Sequence, residues 1–355
     1  MFCLSGYSWT AYDASVELGL ILPYEGSLSF VEALELTQRA EALGFDSVWM
    51  PEAYGTDAIS ILGALAARTE RIRLGTGIVN VFSRTPALLA QTAATLDLIS
   101  GARFILGLGT SGHQVISGWH GVPFERPVLR MRETIAIVRQ VLRRERLEFR
   151  GEVFQLDKGL KLLARPVRAT VPIFLATLTP AGLRLTGELA DGWMPTLFSP
   201  EHMDVFRADL ETGARAGGRS LSSLAIAPHV PVVIDDDRAR ARDAVRAWVA
   251  LYVGGMGSRK KNFYNEVVAR YGFAEEARTI QDLYLTGRQR DAVRVVPDAL
   301  VDAITIAGPA GYAREQLVAW SAAGVTLLVA AVQGKTQDDR LRTVEILAAA
   351  TAGVH

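Results

Sequence analysis

Apolar runs and amphipathic stretches alternate along this chain from Val16 onward. Val16 to Leu22 is a short apolar run closed by Pro23, which reads as a buried strand. Phe30, Leu34, Ala40 and Leu43 then recur at roughly helical spacing, with Gly44 as the stop. Asp46 to Met50 is a second strand, ended by Pro51, and Asp57 is placed to cap a helix that ends near Arg68. Ile72 to Val79 is a third, rich in glycine and β-branched residues. Pro86 opens a helix to Ile99, since proline suits a first helical turn, and Ser100-Gly101 turns the chain into a fourth strand, Phe104 to Gly109. Repeated βα steps of this kind dictate a parallel sheet with right-handed crossovers.

The alternation continues. Pro172 to Thr177 is a strand followed by the helix Ala181 to Ala190, and Gly192 to Thr196 is a strand followed by a helix after Glu201. Leu224 to Ile234 and Val325 to Val332 complete the strands, and Asp338 to Ala350 is the closing helix. This count predicts an α/β fold, a (β/α)8 TIM barrel with insertions before strands 5 and 8. The first insertion lies within Ser111 to Leu163, and the second is a mostly helical stretch over about 239–309. Residues 1–13 read as an N-terminal tail and 14–355 as one domain, with no Gly-, Pro- or Ser-rich linker to divide it. The alternative is an open doubly wound sheet, which would bind its ligand at a switch in strand order.

Composition narrows the function. The 38 basic and 38 acidic residues cancel, so no long-range positive field recruits nucleic acid. Cys3 is the single cysteine and the five histidines lack metal-ligand spacing, so a metal site is not expected. No apolar run is long enough for a membrane span, and the first residues lack a signal peptide's basic start, which makes the cytoplasm the expected compartment. Gly107-Leu-Gly109-Thr-Ser-Gly112 matches a dinucleotide fingerprint, yet Gly118, Gly121 and Pro123 follow where a helix should begin. Small residues there still suit close approach of something flat to the backbone.

In a barrel the active site is built at the carboxyl ends of the strands. Polar residues collect there: Glu52, Asn80, Thr110, Ser111, Thr177, Thr179 and Thr196, with His229 inside a strand. Hydroxyls and backbone amides without a nucleophile elbow point to an organic cofactor as the source of the chemistry.

Four segments then resemble one family: Leu43 to Asp57, Arg71 to Ile78, Leu96 to Gly109 and Ala190 to Pro195. Together they are similar to luciferase-like oxidoreductases, with most likeness to the coenzyme F420-dependent branch that includes methylenetetrahydromethanopterin reductase. Ser111 to Phe124 and Gly254 to Tyr264 look like stretches of an actinobacterial-type F420 subgroup. The resemblance implies a non-prolyl cis peptide at Gly77-Ile78, forming a bulge behind the central ring of a deazaflavin. It implies a cofactor site of Glu52, Ala53, Gly77, Ile78, Thr110, Ser111, Gly112, Ala176, Thr177, Leu178 and Thr179, to which the strand-end position adds Asn80. It also implies a homodimer and a partner reductase that supplies reduced cofactor. The chain departs from the family at three points. Glu52-Ala53 stands where some F420 dehydrogenases have Asp-His, Gly112 where the sugar-phosphate branch has a catalytic glutamate, and His113 where relatives often have proline.

Glu52 and His113 are the candidate acid-base residues, each weighed against a plain alternative: a salt-bridging carboxylate and a solvent-exposed loop histidine. Arg259 and Lys260, with Lys261, are candidates for the cofactor's anionic tail, or else a solvated helix face. His120 beside Trp119 reads as a packed pair, His229 as a core histidine with a pocket role as the alternative, Trp49 and Trp193 as barrel wall, and Asp235 to Asp237 as a helix cap. The leading function is hydride transfer between F420 and a small organic substrate. The alternatives are an FMN-dependent monooxygenase using oxygen, and a non-catalytic flavin or deazaflavin carrier.

Overall fold

The computed structural model describes residues 16–23, 26–259 and 261–351. The expected tail, with Cys3, and Lys260 lie outside them. The strands in chain order are β1 (Glu17–Ile21), β2 (Ser47–Met50), β3 (Arg73–Thr76), β4 (Val79–Asn80), β5 (Phe104–Gly109), β6 (Leu147–Arg150) and β7 (Gln155–Leu160). They continue as β8 (Ile173–Ala176), β9 (Gly192–Trp193), β10 (Ala225–Ile226), β11 (His229–Ile234), β12 (Ile306–Gly308) and β13 (Leu327–Val332). β6 and β7 form a separate antiparallel hairpin; the rest form one parallel sheet in the order β10-β9-β8-β5-β3-β2-β1-β13-β11-β12, with β4 beside β5.

This sheet curls until its ends meet. Only Ala227 and Pro228 separate β10, which pairs with β9, from β11, which pairs with β13. Ala227 donates its amide to Trp193 O at 2.8 Å, His229 donates to Pro195 O at 2.9 Å, and Pro228 O accepts from Val329 at 3.0 Å. The run Leu224 to Ile234 is therefore two strands, because Pro228 has no N–H to give the ladder. The stretch expected to be mostly helical also contains β12, beside Val232 to Ile234, and three residues are too few to carry a readable period.

Helix starts follow local chemistry. Ser29 and Glu32 form a reciprocal capping box before Phe30–Ala42, Asp57 caps Ala58–Ala66, and Thr85 caps Pro86–Ser100 with Pro86 in the first turn. Asp237 accepts from Ala239 and Arg240 to cap Arg238–Ala250, as the acidic run suggests.

Two cores result. One lies between the sheet and the helices around it. The other fills the inside of the curl with Ile21, Trp49, Ile105, Phe174, Met194, Ala225, Ala227, Leu327 and Val329. Trp49 is thus not part of the wall: its ring lies in the interior, 5.3 Å from that of Phe174. Gly75 makes room for it, since a Cβ there would sit 2.2 Å from the indole, and Gly192 does the same for Phe174 at 2.4 Å. Trp193 packs instead among Phe198 and Phe206, with ring centroids 5.8 and 5.0 Å away.

Candidate functional site

The third strand of the sequence reading is broken, and the break organises the site. Leu74 pairs with Phe104 and Gly75 with Ile105, an offset of 30; Val79 pairs with Leu108 and Asn80 with Gly109, an offset of 29. One extra residue is therefore held between Gly75 and Val79, which is a β-bulge, and its Gly77-Ile78 peptide is cis. The fully buried hydroxyl of Thr76 takes over the lost ladder contacts. It donates to Gly107 O at 2.7 Å and accepts from Gly107 N at 2.8 Å.

The same bulge accounts for the glycines of the false dinucleotide fingerprint. A Cβ at Gly107 would lie 1.8 Å from Thr76 O, and one at Gly109 would lie 2.7 Å from the Ile78 side chain. What approaches these two glycines is the protein's own bulge.

Beside it the expected site residues gather. Asn80 pairs with Gly109, and Gly109 with Ala176, so Thr110, Ser111 and Gly112 leave one strand end while Thr177, Leu178 and Thr179 leave the next. Glu52 N donates to Ile78 O at 3.1 Å, which ties the loop carrying Ala53 to the bulge. Thr179 caps the helix Pro180–Leu189, and Thr177 shares a hydroxyl contact of 2.8 Å with Thr186. Ser111 has φ +56°, in the left-handed region. Asn80 Oδ1 accepts from the amides of Phe82 and Ser83 at 3.0 and 2.7 Å. Its Nδ2 is buried and lacks a partner among the described residues, a donor left over at the end of this arc.

Glu52 is held tightly. Both carboxylate oxygens face the Arg84 fork, one of them at 2.8 Å, and Ala58 N adds 3.1 Å; Arg84 also reaches Asp57 at 2.7 Å. His113 is exposed and meets Phe124 edge-on at 6.2 Å, while Phe124 lies against Phe82, two residues beyond Asn80. Arg259 joins no member of the arc through any described contact; it pairs with Asp282 on helix Ala274–Leu285. Trp119 is 66% exposed, so it does not form a packed pair with His120. Among the described residues no group of three or more His, Cys, Asp or Glu is placed to hold a metal, and no helix is long and apolar enough to cross a membrane.

At the opening of the curl stand His229, which the sequence marks, and Trp248 and Tyr252, which sequence reasoning left aside. Ala225 and Ala227 belong to the interior core, and His229, two residues further on and paired with the interior Val329, continues their alternation. The His229 ring meets Trp248 at 5.8 Å, Trp248 meets Tyr252 at 4.5 Å, and Tyr252 meets Tyr264 at 4.9 Å. Burial lowers the His229 pKa to about 4 and pushes Tyr264 up to about 12. The period of two was the available signal for His229. Trp248 and Tyr252 carried none, because they lie near the end of helix Arg238–Ala250 and in the turn beyond it, where no strand period applies.

The luciferase-like monooxygenase family model matches residues 15–327. A Mycobacterium tuberculosis protein named for coenzyme F420-dependent oxidoreductase activity is 41% identical over 330 residues, 89% of this chain and 95% of the relative. The 5,10-methylenetetrahydromethanopterin reductase of Archaeoglobus fulgidus is 30% identical over 309 residues, 85% of this chain and 90% of that protein. The structure of the F420-dependent tetrahydromethanopterin reductase from Methanopyrus kandleri superposes with a TM-score of 0.82 at 27% identity, covering 95% of this chain and 99% of that one. With the parallel curl and the bulge already in place, these matches identify the chain as a member of the luciferase-like family.

Proposed function

We propose that this protein is an F420-dependent oxidoreductase that passes a hydride between the deazaflavin and a small organic substrate. The sheet is read as an eight-step βα ring, with the extra elements of 114–160 and 238–304 as insertions. The observation that carries the proposal is the bulge at Thr76 to Ile78, flanked by the strand ends of Asn80, Thr110 to Gly112 and Ala176 to Thr179, in a chain similar over most of its length to F420-dependent proteins.

The residues fit such a group. The unpartnered Asn80 Nδ2 offers a hydrogen bond, and the Thr110, Ser111 and Thr177 segments offer hydroxyls and amides to carbonyl or phosphate oxygens. When bound, the deazaflavin supplies a carbon-based hydride donor or acceptor with little reactivity toward oxygen. Gly77 and Ile78 form the backing surface. Glu52, as the hydrogen-bond acceptor for Arg84, serves by fixing the loop that carries Ala53. His113, exposed beside Phe124, is the candidate acid-base group at the rim. Arg259 and Lys260 are assigned to the cofactor's acidic tail, which requires Arg259 to leave Asp282. A homodimer, a separate enzyme regenerating the cofactor and a cytoplasmic location belong to the same reading.

Titration of the purified protein with F420, FMN and FAD, followed by cofactor fluorescence, tests it. Saturable F420 binding without FMN binding is expected. Bound FMN that reoxidises in air would replace the proposal with a monooxygenase.

A further inference from the structure

The side of the opening that faces the bulge is set by the sheet itself. Counting round the curl, β5, β8 and β9 separate β3/β4 from β10/β11 on one side, and β2, β1 and β13 do so on the other. His229 and the bulge are therefore opposite each other.

Their heights agree as well. From His229 the register runs through Val329, Gly19 and Ser47 to Arg73. In the other direction it runs to Thr196, and the same strand offsets then carry it through Leu178 and Ser111 to Phe82. Arg73 and Phe82 differ by nine positions, one of them the bulge residue. The remaining stagger is about 8, that of an eight-stranded barrel. Because tilted strands place a residue level with the midpoint of that stagger, His229 stands level with Gly77-Ile78.

Its side chain points inward. Val329, its partner on β13, belongs to the interior core, as do Ala225 and Ala227 below it. The ring leans on Trp248 and, among the described residues, forms no hydrogen bond with another protein group. A ring-shaped ligand backed by the bulge would present its free face to this wall.

We propose that His229, Trp248 and Tyr252 form the substrate-side wall, with the imidazole hydrogen-bonding the acceptor atom of a flat conjugated carbonyl compound held against the two aromatic rings. The proposal rests on the F420 reading above. Burial keeps the imidazole neutral at ordinary pH, so one ring nitrogen carries an N–H to donate while the charge cost of an imidazolium is avoided. Offset or edge contacts with Trp248 and Tyr252 favour planar substrates over saturated polyols.

The test uses full-length protein labelled with [15N]histidine. The five histidines give few signals, and His229→Gln assigns the one in question. F420 is titrated first by fluorescence; wild type, His229→Ala and His229→Gln should bind it within about twofold of one another. Menadione, acetophenone and cyclohexenone are then added to the F420-loaded protein, with inorganic phosphate as control. At least one carbonyl probe should shift the His229 signals while phosphate does not. His229→Ala should weaken that probe roughly tenfold, with His229→Gln recovering part of the loss. Trp248→Leu, on the insertion, should weaken it too, and serves if His229→Ala fails to fold. If F420 binds and no probe moves the His229 signals, or the variants hold the probes as wild type does, the inference is wrong and the F420 reading stands. If F420 does not bind, both fall.

Discussion

Thr76→Val tests whether the bulge is held by a single hydroxyl. Valine matches threonine in shape, so the fully buried side chain keeps its packing and loses only its hydrogen bonds. Both hydrogen bonds go to Gly107, one to its carbonyl and one from its amide, so both backbone groups of that residue are left without this partner. A buried polar group stripped of its partner costs about 1–3 kcal/mol, and two such groups cost roughly 2–6. The extra methyl returns about 0.8 kcal/mol of burial, leaving a net loss of about 1–5 kcal/mol. For 355 residues at about 2.1 cal/mol/K each, the unfolding entropy is ~0.7 kcal/mol/K, so the melting temperature should drop by roughly 2–7 °C. Thr76→Ser keeps the hydroxyl and should lose only about 1 kcal/mol. Scanning calorimetry reads the stability, and F420 fluorescence titration reads the site. Valine should weaken F420 about tenfold or more while serine stays within about threefold. If the valine variant melts and binds F420 like wild type, the hydroxyl does not hold the bulge and the argument from Thr76 to the site is wrong.

Gly75→Ala should be more damaging than its size suggests, because the new methyl meets the Trp49 ring at 2.2 Å; a loss of about 1–3 kcal/mol or more is expected in urea unfolding, relieved by adding Trp49→Phe. Glu52→Gln should loosen the Arg84 fork and speed proteolysis within 52–58, with F420 affinity falling less than tenfold, whereas an undiminished protease resistance would show that the pair does not hold the loop. His229 makes stability depend on pH. Its folded pKa of about 4 lies below the ordinary 6.5, so the unfolded chain takes up the proton first and stability is lost as pH falls from 6.5 toward 4. Between pH 7 and 5 wild type should lose about 2 kcal/mol more than His229→Gln in paired urea titrations. Equal losses would mean that the imidazole is not buried as described.

Why some of this could be read from the chain and some could not follows from how far each signal reaches along it. A buried parallel strand or an amphipathic helix writes its period into adjacent residues, so Phe104–Gly109 and Pro86–Ser100 stand out unaided. The carboxyl-end polar residues are likewise local: they follow strands, and the register then places Asn80, Gly109 and Ala176 side by side. The bulge is different. It exists because one strand holds a residue more than its neighbour, which is a relation between Gly75–Val79 and Ile105–Leu108 that no single window contains. Gly107 and Gly109 bear its mark, yet in the sequence they present as a phosphate-loop pattern, since a glycine reports that something comes close without saying what. The cluster at the opening lies further still from local sequence. His229 and Trp248 are on successive elements, and only the curl of the sheet turns the first inward beneath the second. A wall of this kind is free to vary with the helices of 238–304, while the bulge opposite stays fixed by the pairing of β3 and β4 with β5. Substrate choice should therefore follow the segment between β11 and β13, and cofactor choice the arc from Glu52 to Thr179. Exchanging residues 238–304 for the matching segment of the Archaeoglobus reductase should alter which carbonyl probes bind and leave F420 affinity in place; a loss of F420 binding in a folded chimera would refute that division.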